Sequence, residues 1–147
     1  MTILTLVRHG ETDWNLGRRI QGSTDIPLND TGRAQARAAA QHLADRLTDG
    51  IPTVVVSSDL SRANETARII ADELGLAAPA TYPGLRERSY GDAEGLTDVD
   101  FAERWGAWHT AVVPGAEPWE DVTTRALTAI RTVVADARRL TATLSPD

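Results

Sequence analysis

The stretch Leu4-Thr5-Leu6-Val7-Arg8-His9-Gly10-Glu11-Thr12 most constrains the fold. Residues 3–7 are almost continuously apolar, as expected of a strand covered on both faces. The strand runs straight into a charged turn. Arg8 and His9 would then stand at one edge of a sheet, with Gly10 where the backbone must turn sharply. Such an edge can present an imidazole nucleophile beside an anion clamp.

The pattern beyond this edge alternates. Residues 8–15 form a polar turn, and 21–29 read as a loop containing Gly22, Asp25 and Pro27. Thr31 can cap a helix to about Leu47, with Ala36, Ala40, Leu43, Ala44 and Leu47 on one face. Asp49-Gly50 and Pro52 end it. Residues 53–56 are a short β-branched strand closed by Ser57-Ser58-Asp59. A helix follows over residues 61–74, with Ala67, Ile70, Ala71 and Leu74 inward and Gly75 as its C-terminal cap. Strand, helix, strand, helix predicts a parallel α/β sheet with right-handed crossovers, in which ligands collect at the carboxyl ends of strands. Arg8-His9 and the segment leading to Arg62 both lie just past such ends.

Residues 80–82 are expected as an edge strand, and 85–96 as an irregular loop holding Glu87, Tyr90, Gly91 and Gly95. Thr97 to Asp100 has the form of a capping box, opening a short helix that buries Phe101, Trp105 and Trp108. Residues 114–118 turn the chain into a long helix from Trp119 to Leu144, with Val122, Ala126, Ile130, Val133, Ala137 and Leu140 inward and Ser145-Pro146 as its stop. No repeat or linker divides the 147 residues, so they read as one domain.

Composition narrows the chemistry. Cysteine is absent, which excludes disulfides and thiolate catalysis. No apolar run is long enough to span a bilayer and no basic leader opens the chain, so the expected location is the cytoplasm. A net charge of −6 argues against nucleic acid as the main partner. All 15 basic residues are arginine, so any anion site must use guanidinium forks, which suit phosphate.

Arg8-His9-Gly10-Glu11-Thr12, with Trp14-Asn15 beyond, resembles the signature of the histidine phosphatase superfamily, which includes the cofactor-dependent phosphoglycerate mutases. Further segments agree in order: Gln21-Gly22, Asp25 to Leu28, Thr31 to Ala36, Ser57 to Ala63 with Thr66-Ala67, Leu85-Arg86-Glu87, and Tyr90 to Leu96. The resemblance implies a three-layer α/β/α sandwich with a mostly parallel sheet. It implies that His9 attacks phosphorus and becomes a phosphohistidine, that Arg8 and Arg62 grip the non-bridging oxygens, and that Asn15 adds a neutral donor. Glu87 would protonate the leaving oxygen and then help activate water, as a desolvated carboxyl of raised pKa. Substrate binding would fall to Arg8, Asn15, Gln21, Gly22, Arg62, Glu87 and Tyr90. No metal and no cofactor are implied; His9, His42 and His109 have no ligand spacing. His42 is expected on the surface, His109 in packing, and Trp14, Trp105, Trp108 and Trp119 in core and pocket wall.

One departure matters. The resembled family carries a second catalytic histidine in a Ser/Thr-His-Gly strand after the long helix, lying between the first and second strands of its sheet. The only His-Gly pair in these 147 residues is His9-Gly10. The expectation is therefore a C-terminally truncated domain that lacks a central strand, with pairing of exposed strands to another chain, as in a homodimer, as the second choice. The expected activity is hydrolysis of a small phosphorylated metabolite through phosphohistidine. Residues 96–114 leave little chain for a lid, and residues 91–97 look more like the phosphatase branches than the mutases. Mutase transfer is the near alternative, and a non-catalytic phosphate-binding module the alternative of another class.

Overall fold

The computed structural model describes residues 2–47 and 50–143. The chain folds as α/β, with a two-stranded parallel sheet among the described residues. Helix α1 is Asp13–Leu16, α2 Asp30–Ala44, α3 Ser61–Glu73, α4 Asp98–Trp105 and α5 Trp119–Ala142. Strand β1, Val56–Ser57, pairs in parallel with β2, Ala80–Thr81. Single turns of 3₁₀ helix at Pro83–Leu85 and Gly91–Ala93 shape the long loop.

Each helix starts where local chemistry allows. Asn29, not the expected Thr31, caps α2, accepting from the Gly32 N–H at 2.9 Å. Its amide group also donates to Glu11 at 3.0 Å, so a contact distant in sequence selects the cap. Thr97 and Asp100 form the expected capping box on α4. Helix α2 packs on α3 through small residues, with Ala36 and Ala40 buried on one side and Ala67 and Ala71 on the other. Burying Ile70 on this face stabilises the pair by about 1.5–3 kcal/mol, and Ile70→Asp would break it. Phe101 holds α4 down, tilted against Trp105 and Trp108 at 5.3 and 4.5 Å between ring centres.

The first segment departs from expectation. Residues 3–7 join no strand ladder, and among the described residues none of their backbone groups has a backbone partner. Their side chains are not covered on both faces: Ile3 is 68% exposed and Leu6 81%. No described strand lies alongside this segment. A largely apolar cavity of about 520 Å³ separates residues 2–9 from 53–58 and is walled by α3 and α5. A strand acquires its hydrogen bonds only from neighbours, so an apolar run without one stays outside the sheet. The expected 53–56 strand is likewise shortened to β1.

Other expected core positions move outward. Ala44, Leu47 and Leu140 are exposed, while Ala129 and Val133 form the buried stripe of α5. His109 is exposed, because the turn after α4 runs along the surface; Trp108 and Trp119 are each open to solvent on one side, Trp108 against Phe101 and Tyr90 and Trp119 beneath Arg88. The expected helix stops at Asp49 and at Leu144 to Pro146 lie outside the described residues. No described helix is long and apolar enough to cross a membrane.

Candidate active site

The site forms where residues 8–12, the 19–28 loop, the start of α3 and the 85–96 loop meet. The Gly10 N–H donates to Thr66 Oγ1 at 3.1 Å, and that hydroxyl donates to the Arg62 carbonyl at 2.7 Å. One threonine thus fixes the turn carrying His9 onto the helix carrying Arg62. A Cβ on Gly10 would lie 2.3 Å from the Gly32 carbonyl oxygen, so only glycine allows the turn to sit flush on α2.

His9 is half-buried, and its Nδ1 donates to the Gly10 carbonyl at 2.7 Å. That bond selects the tautomer with the proton on Nδ1 and leaves the Nε2 lone pair free. Burial is the main influence on the ring and lowers its pKa; the Arg62 and Arg8 charges lower it further, against the opposing Gly10 bond and Glu87 charge. The imidazole is therefore held neutral and nucleophilic. The same three charges, Arg62, Arg8 and Glu87, are the ones gathered around it.

Arg62 is 1% exposed. Its guanidinium donates to the Gly22 carbonyl at 2.7 Å, the Thr24 carbonyl at 2.8 Å and the Glu87 carboxylate at 3.1 Å. Two neutral acceptors fix its plane, and the ion pair joins it to the opposite loop. Glu87 is not in the desolvated environment expected of it: its side chain is 41% exposed and faces this cation. Most of the 85–96 loop is half-buried, but Arg86 and Glu87 are exposed, which leaves the carboxylate at the rim.

The remaining expected residues divide. Arg8 is exposed at the mouth. Asn15 uses its side-chain oxygen to accept from the Thr12 N–H at 3.0 Å, capping α1 and leaving its amide hydrogens as donors. Gln21 is buried and accepts from the Thr12 hydroxyl at 2.5 Å, so it supports the turn. Gly22 contributes its carbonyl rather than a donor. Tyr90 is half-buried beside Trp108, and burial first, then the Glu87 charge, raises its pKa against the opposing Arg88.

Sequence reading gave no role to three supporting residues, although Thr66 and Glu94 fall within the matching segments. Thr66 lies one helical turn beyond Arg62, the spacing that could have marked it. Glu94 accepts from the Ser23 N–H at 2.8 Å, the Tyr90 N–H at 3.0 Å and the Thr24 hydroxyl, and so binds the loop that holds Arg62. Burial raises its pKa, but these bonds outweigh it and keep the carboxylate below its ordinary value. Arg125, on α5, carries no signal in the sequence. No group of three or more His, Asp or Glu among the described residues is placed to hold a metal ion.

The sequence pattern of the histidine phosphatase superfamily (branch 1) matches residues 4–144. The uncharacterized phosphatase PhoE of Bacillus subtilis is 43% identical over 125 residues, covering 85% of this chain and 61% of that protein. A probable phosphoglycerate mutase, GpmB of Yersinia pestis, is 44% identical over 112 residues, covering 76% and 50%. A mycobacterial glucosyl-3-phosphoglycerate phosphatase solved with VO3 superposes with a TM-score of 0.76 at 36% identity, over 87% of this chain and 62% of that one. The chain thus spans about half to three fifths of the length of these relatives.

Proposed function

The chain belongs to the histidine phosphatase superfamily, and from that premise we propose that it hydrolyses a small phosphorylated metabolite through a phosphohistidine at His9. The observation that carries this reading is the Nδ1–Gly10 bond, which frees Nε2 beside the fixed Arg62 guanidinium. Relatives named as phosphatases and as a probable mutase support phosphoryl chemistry of this type.

In the first step, Nε2 attacks phosphorus in line while the bridging P–O bond breaks. The electron pair leaves with the oxygen, which takes a proton from Glu87. Arg62 and Arg8 hold the non-bridging oxygens, with the Asn15 amide as a neutral donor. In the second step, water attacks phosphorus, Glu87 accepts its proton, and the N–P bond breaks to release inorganic phosphate and free His9. Tyr90 forms the wall that meets the remainder of the substrate, while Gln21 and Gly22 support the turn and Arg62 behind it.

The unpaired segment 3–7, the cavity beside it and the greater length of the relatives support reading this chain as part of a longer single domain. Turnover of an aryl phosphate, abolished by His9→Ala, with an acid-labile phosphoryl group trapped on the wild-type protein, is the expected result. Full turnover in His9→Ala would overturn the mechanism, and transfer to a second metabolite faster than to water would reassign it as a mutase.

A further inference from the structure

Arg125 projects from α5 toward the loop that carries Glu87, although it stands 38 residues away in sequence. Its guanidinium has five N–H donors, and all five are engaged. Nη1 donates to the Gly84 carbonyl at 2.9 Å and the Arg86 carbonyl at 2.7 Å. Nη2 donates to the carbonyl of Glu87 itself at 3.1 Å and to Glu117 at 2.9 Å, and Nε donates to Glu117 at 2.6 Å. Glu117 continues the brace: its carboxylate accepts from the Ser89 N–H at 3.2 Å, and its own N–H and carbonyl pair with Ser89 and Arg88. Gly84 allows the loop to approach closely, since a Cβ there would lie 2.8 Å from the Ala129 methyl.

Two facts make this more than packing. The loop has no ladder of its own across residues 84–89: the Leu85 and Arg86 amides close a single 3₁₀ turn, and the Gly84, Arg86 and Glu87 carbonyls and the Ser89 amide find their partners on Arg125 and Glu117. Glu87 is also half-open to solvent, so its side chain has one fixed neighbour, Arg62, and the remainder of its aim comes from its backbone. A planar fork that holds three carbonyls and a carboxylate at once cannot be replaced by the single point charge of lysine.

We propose that Arg125 is the positioning residue for Glu87: it fixes the backbone of residues 84–87 so that the carboxyl meets the bridging oxygen of the substrate. This rests on the reading of Glu87 as general acid. A misplaced acid has a signature that a general loss of structure lacks. Proton donation matters when the leaving group is a poor one, such as an alkoxide, and matters little when it is a stable aryl oxide.

The test compares an alkyl phosphate with 4-nitrophenyl phosphate as substrates of the whole protein. Arg125→Lys should lower kcat/KM for the alkyl ester by roughly 10- to 100-fold. The aryl ester should change by less than about threefold. Glu117→Gln, which weakens one side of the brace and keeps the three carbonyl bonds, should show the same selectivity at smaller size. This second variant carries the test if Arg125→Lys does not fold. Equal losses on both esters, or no loss on either, would overturn the positioning role. Glu87→Gln separates the two levels of inference. Without leaving-group selectivity in that variant the general-acid reading falls and takes the proposal with it; with selectivity there and none in the Arg125 and Glu117 variants, only the positioning role falls.

Discussion

Replacing Arg62 by methionine tests how far burial turns a binding residue into a structural one. The side chain is 1% exposed and serves the Gly22 and Thr24 carbonyls. Methionine fills similar volume but donates nothing. A buried carbonyl left without a partner costs about 1–3 kcal/mol, so the two together cost about 2–6 kcal/mol. The Glu87 pair adds little, because that carboxylate is 41% exposed and solvent screens it. For a chain of this size a loss of that order lowers the melting temperature by roughly 4–24 °C. Arg86→Met provides the comparison. Its pair with Asp59 is also a two-point contact, but both side chains are open to water, at 45% and 29% exposed. It should cost less than about 1 kcal/mol. Thermal unfolding followed by far-ultraviolet circular dichroism measures both, and phosphate titration by calorimetry measures the anion site. Arg62→Met should also weaken phosphate by roughly tenfold or more, the equivalent of one lost charged hydrogen bond. If Arg62→Met melts within about 2 °C of wild type, or if Arg86→Met is the more damaging of the two, burial does not govern these arginines and the reasoning fails.

Further outcomes follow from the same geometry. His9 is held neutral by a lowered pKa, so the unfolded chain binds its proton first as pH falls below about 6.5. Stability from this group is complete above that value and is lost as pH falls through the lower folded value, and kcat/KM should drop over the same acidic window; a His9→Gln protein with an unchanged stability profile there would refute the assignment. Gly10→Ala puts a Cβ 2.3 Å from a backbone oxygen, so the turn must shift, costing roughly 1–3 kcal/mol and most of the turnover; urea unfolding and an aryl phosphate assay read the two effects. Glu94→Ala releases Ser23, Thr24 and Tyr90 together and should weaken phosphate binding, whereas Glu94→Gln keeps an acceptor for both amides and should stay near wild type. Equal affinity in the two variants would show that the loop holds Arg62 without Glu94.

Helices were legible because their signals are local. Thr97 and Asp100 announce α4, and the spacing of Ala67, Ile70 and Ala71 announces α3, since every bond and contact involved lies within about four residues. The roles assigned to His9, Arg62 and Glu87 came from the resemblance of their segments to the histidine phosphatase signature, because a single arginine or glutamate in a turn carries no such signal by itself. Strand 3–7 was misjudged for the opposite reason. Its apolar run is suited to a buried strand, but a ladder needs another segment alongside, and residues 3–7 line a cavity of about 520 Å³ instead.

By itself, then, the sequence marked the residues that the family resemblance assigns to attack, clamp and donate, and it placed the starts of α3, α4 and α5 but not that of α2. Tertiary structure decided how those residues are aimed. Arg62 takes its orientation from carbonyls 38 and 40 residues away, and the backbone of Glu87 is braced by Arg125 across 38 residues. Such contacts leave no periodic trace in the chain. A guanidinium finds whichever carbonyls the packed helices bring within reach, and only the assembled fold fixes which ones those are.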